Sequence, residues 1–207
     1  MPDLTFENDL RSEGFSRIAG IDEAGRGPLA GPVTAGAVVL PANYAHSVLT
    51  DSKKLSEKVR EDLYEELRAD KEIAFSSARV EPGEIDEINI LQATWVAMGR
   101  AFKGILPRPD IALIDGRPVK NFPGKHKAVI KGDSLSLSIA AASIIAKVER
   151  DRIMREYAKE YPEYGFEKHK GYGTKAHVAA LAKHGPCPIH RFSFSPVALA
   201  AERKGGS

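Results

Sequence analysis

Short apolar runs broken by glycine, proline and acidic residues dominate the first half of the chain. Phe15 to Asp22 reads as a strand, and Pro32 to Leu40, rich in valine, alanine and glycine, as a second. Pro41 stops that second run, so the two are expected to pair antiparallel. Asp51-Ser52-Lys53-Lys54-Leu55 leads to Ser56, which is placed to cap a helix carrying Val59, Leu63 and Leu67 at helical spacing. Ile73 to Val80 is a third strand. From Ile85 to Phe102 the spacing of Ile88, Leu91, Trp95 and Met98 predicts one helical face, and Gly104 and Pro107 end it.

The second half changes register. Ile111-Ala112-Leu113-Ile114 is continuously apolar, as a strand buried on both faces is, and stops at Asp115-Gly116. Ala128-Val129-Ile130 is a further apolar piece that stops at Lys131-Gly132-Asp133. Ser138 to Met154 predicts a helix dense in alanine and serine, small enough to pack closely on a sheet. Helices between and after buried strands argue for parallel pairing. The expected class is therefore α/β, with a mixed sheet flanked by helices. Beyond Tyr161 the chain turns rich in Gly, His and Lys up to Arg191, with a helix near Thr174 to Lys183 and a loose tail over Arg203 to Ser207.

Composition narrows the picture only slightly. The 207 residues suit one domain, and 43% hydrophobic with 28% charged residues is ordinary for a globular chain. A net charge of +2 gives no global attraction for polyanions, so nucleic-acid binding would need local basic clusters. The single cysteine, Cys187, forbids an internal disulfide and reads as a loop residue between two prolines. The acidic start lacks a signal-peptide pattern, and no apolar stretch reaches the roughly 20 residues of a membrane span. A cytoplasmic monomer without membrane contact is the expectation.

The candidate chemistry lies in four carboxylates. Asp22, Glu23, Asp115 and Asp133 each follow an apolar strand-like run, and in sheets with parallel strands ligands gather at the carboxyl ends. Neighbouring strand residues face opposite ways, so Asp22 and Glu23 share a site only if the strand is ending there. Converging carboxylates repel unless cations neutralise them, and an all-oxygen set selects Mg²⁺ or Mn²⁺ over zinc. Two such ions about 3.5–4 Å apart suit phosphoryl displacement. Acidic residues before glycine are also common turn formers, and Asp133 could simply cap the helix that follows.

The same pieces resemble the bacterial ribonuclease HII family. The resemblance rests on Gly20-Ile21-Asp22-Glu23-Ala24-Gly25-Arg26-Gly27-Pro28, Asp51-Ser52-Lys53-Lys54-Leu55, Leu113-Ile114-Asp115-Gly116 and Lys131-Gly132-Asp133. Ala140 to Lys147 with Arg150-Asp151-Arg152, and Lys170-Gly171-Tyr172-Gly173-Thr174-Lys175 with His177, continue it to about Val197. It implies a ribonuclease-H-like five-stranded mixed sheet flanked by helices, with a C-terminal helical extension. Residues 1–207 would form one domain, with a core at about 15–160 and a substrate-binding extension at about 161–200.

The implied activity is endonucleolytic cleavage of RNA in RNA/DNA hybrids, and 5′ of single ribonucleotides embedded in duplex DNA, with two divalent ions (Mg²⁺ or Mn²⁺). Asp22, Glu23, Asp115 and Asp133 match the family's metal-binding carboxylates. Gly25-Arg26-Gly27 matches the motif that reads the ribonucleotide 2′-OH, the group that separates RNA from DNA. Tyr172 matches the tyrosine stacked on the following sugar. Lys53, Lys54, Lys170 and Lys175 are candidate phosphate contacts, and the segment from Glu167 to Arg191 is a candidate basic wall. Arg26 would contact phosphate or brace the carboxylates. The glutamate that replaces the fourth aspartate in ribonuclease HIII is not matched here, because Asp133 is an aspartate. The rival readings are a hybrid-binding module without turnover and a DNA-cutting metal phosphotransferase.

Overall fold

A computed structural model describes residues 1–205, with side chains to Arg203. Its centre is a five-stranded sheet of β1 (Ile18–Ala24), β2 (Val33–Val39), β3 (Ala74–Val80), β4 (Ile111–Asp115) and β5 (Lys125–Val129), in the order β3-β2-β1-β4-β5. The β1–β2 and β2–β3 pairs are antiparallel, whereas β1–β4 and β4–β5 are parallel. This is the mixed sheet that the order of apolar runs predicts. The helices are α1 (Thr5–Ser12), α2 (Glu57–Ala69), α3 (Pro82–Gly104), α4 (Leu137–Glu160), α5 (Phe166–His169), α6 (Lys175–His184) and α7 (Ser195–Gly205). Among the described residues no helix is long and apolar enough to cross a membrane.

Strand alternation sorts the core into two layers. On one face Ala19, Ile21, Ala35 and Ala37 pack against Ala97, Met98, Ala101 and Phe102 of α3. On the other, Val38 packs on the alanine-rich turns of α4 and on Leu63 and Leu67 of α2, while Ile18 and Leu113 meet Ile139. Helix α4 lies so close that Gly20 and Gly36 have no room for a side chain. A Cβ on Gly20 would lie 2.1 Å from the Ser138 carbonyl carbon, and one on Gly36 2.4 Å from the Ala142 oxygen. Side-chain oxygens cap three helices: Ser56, the cap read from the sequence, accepts from Val59 N–H, and Ser136, in place of Asp133, and Thr174 accept from Ile139 N–H and His177 N–H.

Several expectations change. β1 begins at Ile18 and runs on to Ala24, so Asp22 and Glu23 lie inside the paired strand, opposite Gly36 and Ala35. The long helix is two segments: Asn89 has φ 65°, and its Oδ1 accepts from the N–H groups of Leu91 and Gln92 to start the second. Leu91 consequently turns outward. β5 is an edge strand with alternating exposure that ends at Val129, so Ile130 of the expected apolar run lies past it and is 73% exposed. α1, which the apolar runs do not announce, packs Phe6 and Leu10 on the core and is fixed further by Glu7, whose buried Oε1 accepts from Ser136 Oγ and from Ser138 N and Oγ. Residues 203–205 of the expected tail belong to α7, while 206 and 207 lie outside the described residues.

Overpacking at the two glycines is expected to be severe, because the obstruction is helix backbone that cannot move away. Gly20→Ala and Gly36→Ala should each cost about 3 kcal/mol or more, measured by urea unfolding of the purified variants. Gly83→Ala, where a Cβ would meet nothing within 4 Å, should change stability by no more than about 0.5 kcal/mol.

Candidate active site

Asp22 and Glu23 straddle the edge of the sheet. Asp22 points to the α4 side, where it shares a pocket of about 170 Å³ with Ser52, Lys53, Lys147 and Tyr172. Glu23 reaches that pocket and also a cleft on the α3 side that Asp115, Trp95 and Met98 help to line. Two adjacent carboxylates thus serve one opening without the strand ending, because the opening wraps round the strand. Asp115 closes the adjacent parallel strand, and its Oδ1 accepts from Gly132 N–H at 2.7 Å, which ties the Asp133 turn to the same edge.

The electrostatics follow from that crowding. Burial pushes the Asp22 carboxyl well above the usual carboxylate range, and Glu23 and Asp115 push it further. Burial also raises Glu23, with Arg26 opposing it, and raises Asp115, with Asp133 adding to the effect. Lys53 sits among them with Nζ 3.6 Å from Asp133 Oδ2. Burial alone would lower its pKa, but Asp22, Asp51, Asp133 and Asp115 outweigh that and raise it. Among the described residues no three His, Cys, Asp or Glu side chains are gathered as ligands of one metal ion. The donor set nevertheless suits a hard divalent cation, being all carboxylate, largely buried and mutually repulsive.

Beside the carboxylates, two buried arginines organise the loop from Gly25 to Pro32. Arg191, with no exposed surface, donates to the carbonyls of Gly31 (2.9 Å), Arg26 (2.9 Å) and Gly25 (2.6 Å). Arg150, equally buried, donates to Pro32 O at 2.9 Å and Ala30 O at 3.2 Å. Gly25 has φ +94°, and a Cβ there would strike Arg150 Nε at 2.0 Å, so the guanidinium demands glycine twice over. With carbonyls drawn inward, the N–H groups of Arg26 and Gly27 donate to no acceptor within the described residues. The Tyr172 ring, 43% exposed, sits over Gly27, whose added Cβ would lie 3.8 Å from Tyr172 Cε1.

Tyr172 is held by a chain of buried donors and acceptors with one consistent proton arrangement. His177 Nδ1–H donates to Tyr172 O at 3.0 Å, which leaves Nε2 to accept from His190 Nε2–H, also at 3.0 Å. His190 Nδ1 then accepts from the Cys187 N–H at 3.0 Å and from its Sγ–H at 3.1 Å. Burial supports this assignment, pushing the Cys187 thiol up to about 11 and His190 down to about 4. Cys187 is therefore a thiol donor deep in the loop region.

The structure redistributes the candidate basic residues. Arg26 is half-exposed and its Nη1 lies 3.3 Å from Glu23 Oε1, the bracing alternative of the two read from sequence. Lys54 Nζ donates to Ser134 Oγ at 3.3 Å, and Lys175 stands exposed at the start of α6. Lys170 is not free for phosphate. It is buried in a left-handed backbone conformation (φ 50°), and its ammonium turns inward to Glu167 O at 2.5 Å and Glu57 Oε2 at 3.7 Å. The expected basic wall is likewise partly interior, since His177, His190 and Arg191 have no exposed surface. Sequence reasoning missed Arg191 as a brace. No local signal marks it, since the adjoining Phe192 is 45% exposed and the carbonyl partners of Arg191 lie in the loop after β1.

The sequence profile of the family Ribonuclease HII matches residues 19–197. The chain is 54% identical over 195 residues to Ribonuclease HII of Endomicrobium trichonymphae, covering 94% of this chain and 92% of that one. It is 55% identical over 192 residues to Ribonuclease HII of Chlamydia muridarum, covering 93% and 88%. Among solved structures it resembles ribonuclease H2 from Pyrococcus horikoshii, with TM-score 0.80 and 26% identity over 93% of this chain and 100% of that one. The fold also matches ribonuclease HIII in complex with Mn²⁺, with TM-score 0.69 and 15% identity over 90% of this chain and 70% of that one.

Two outcomes follow from this geometry. Asp22 carries a folded-state pKa above its unfolded value, so its ionised form destabilises the cation-free protein as pH rises through the raised pKa. Asp22→Asn should therefore melt about 2–4 °C higher than wild type in EDTA at pH 8, and the gap should shrink as the pH is lowered toward 4. Arg191→Lys should lose about 2–4 kcal/mol, since one ammonium cannot serve three carbonyls. Hydrogen exchange of the 25–31 amides should quicken at least tenfold in that variant, while β1 and β2 stay protected.

Proposed function

The chain belongs to the ribonuclease HII family and is a ribonuclease H hydrolase, and from that premise we propose that it is an endonuclease that cuts 5′ of ribonucleotides in duplex DNA and within RNA/DNA hybrids. One observation carries the reading. The carboxylate edge of β1 runs directly into a loop whose carbonyls are bound from below by Arg191 and Arg150, which leaves outward amides at Arg26 and Gly27 and the Tyr172 ring above Gly27.

Asp22, Glu23, Asp115 and Asp133 are the residues that would hold divalent Mg²⁺ or Mn²⁺, with Asp22 as the central ligand and Asp133 steering the attacking water. Bound there, the ions would supply an activated water and neutralise charge on the leaving 3′-oxygen. Arg26 keeps Glu23 oriented toward the site through its 3.3 Å contact. The amides of Gly25-Arg26-Gly27 bind the 2′-OH, which an all-DNA strand cannot offer. Tyr172 stacks on the next deoxyribose, where a polar group would find no hydroxyl partner. Water oxygen joins phosphorus as the P–O3′ bond breaks, giving 3′-hydroxyl and 5′-phosphate ends. The extension at about 161–200 supplies Tyr172 and the exposed Lys175, and Lys53 and Lys54 lie at the rim as phosphate contacts.

The test is a duplex with one ribonucleotide, assayed in Mg²⁺ and in Mn²⁺. Wild type should cut once, 5′ of the ribonucleotide, and Asp22→Asn and Asp115→Asn should each be slower by at least about 100-fold. Tyr172→Ala should lower kcat/KM and blur the choice of junction. Cleavage of an all-DNA duplex would favour the DNA-cutting alternative, and binding without any cleavage would favour a silent module.

A further inference from the structure

The opening at Glu23 and Asp115 continues away from the carboxylates as a cleft along the second segment of α3. Its first part, about 440 Å³, is lined by Glu23, Arg26, Asp115, Trp95 and Arg117 among others. Its second part, about 650 Å³, shares Leu91 and Trp95 with the first and extends to Lys103, Lys120 and Asn121. The break at Asn89 sets this shape, because restarting the helix there turns Leu91 outward, 46% exposed, beside the half-buried Trp95. Charge is distributed unevenly. The acidic side chains lining the cleft, Glu23 and Asp115, stand at its site end, whereas Arg117, Lys103 and Lys120 lie along it and form no ion pair among the described residues. Arg100 lines it too and is paired with Glu84.

We propose that this cleft is a second substrate contact that takes the sugar–phosphate backbone of one strand of the duplex where it leaves the carboxylate site. Phosphates meet Arg117, Lys103 and Lys120, and sugar faces lie on Leu91 and Trp95. The occupant follows from two features. The cleft is continuous with the site, so a strand held there has this exit open to it. Its apolar floor with separate basic side chains along the rim matches a chain that alternates apolar sugar faces with regularly spaced anions. Such contacts fix the register of the duplex and carry no sequence preference. The inference rests on the endonuclease reading above, since it takes the ligand from it.

Trp95 is the single tryptophan of the chain, so its emission reports on the cleft alone. The experiment titrates the full-length protein in EDTA with duplexes carrying one ribonucleotide and arms of 4 or 12 base pairs on either side. Emission should change when the long arm lies on one side and not when it lies on the other. The long-arm duplex should bind at least tenfold more tightly than the short-arm one, and Lys103→Glu with Lys120→Glu should abolish that advantage. The same pair should flatten the slope of log affinity against log salt by about 2, one contact each. Both lysines are exposed, and circular dichroism melting checks that the variants fold. Unchanged emission with either arm, or a long-arm advantage that survives both reversals, would overturn the proposal. Equal emission change with polyglutamate would also overturn it and point to an acidic protein partner. Failure of the endonuclease reading is separately visible: wild type with Mn²⁺ would leave the ribonucleotide duplex intact, whatever Trp95 reports.

Discussion

Everything distinctive in this molecule depends on two guanidinium groups placed where water does not reach. Arg150 and Arg191 come from α4 and from the segment before α7, and together they bind the carbonyls of Gly25, Arg26, Ala30, Gly31 and Pro32. Removing two like charges from water costs several kcal/mol each, and burial drives Arg150 down to about 10 and Arg191 to about 9. Carbonyl dipoles offset that cost only if the loop keeps the curvature that points five of them the same way. The loop is therefore held in one shape, and its amide face is turned outward as its carbonyls bend in toward the charges beneath it. Arg191 also ties the C-terminal segment to the loop that follows β1, so the segment carrying Tyr172 is held beside the strand carrying Asp22.

The second organising constraint is the closeness of α4 to the sheet. Glycine at positions 20 and 36 lets the helix backbone touch the strands, which brings Ser143 and Lys147 to the level of Ser52 and Asp22. A larger residue would lift the helix and with it Arg150. The carboxylate pocket and the loop beside it are thus set by the same packing. This explains how acidic chemistry and an amide-lined surface can follow one another in sequence without a spacer.

Much of this was legible in the sequence because it is local. Ser56 announces its helix by side-chain capping, and the uninterrupted apolar run at Ile111 fits the strand buried on both faces. The carboxylates were legible as residues that follow such runs. What was not legible depends on partners distant in the chain. Glu7 looks like one more surface acid until Ser136 and Ser138 close over it. Lys170 reads as a phosphate contact because its αL backbone and its inward pairing with Glu57 leave no trace in composition. Arg191 looks like the end of a basic wall, whereas its partners lie some 160 residues earlier. Leu91 fits the helical period and still faces outward, because the period restarts at Asn89.

Lys53 gives the carboxylate edge a property of another kind. Four acids crowded at one edge would resist being brought together while the chain is still finding its fold. An ammonium within 3.6 Å of Asp133, and near enough to Asp22 and Asp115 to be shifted by them, is a cation the chain carries from the moment of synthesis. The edge therefore carries part of its own counter-charge within the chain. Because the Lys53 side chain is largely exposed, that counter-charge is held at the solvent face of the edge and is no part of the packed core.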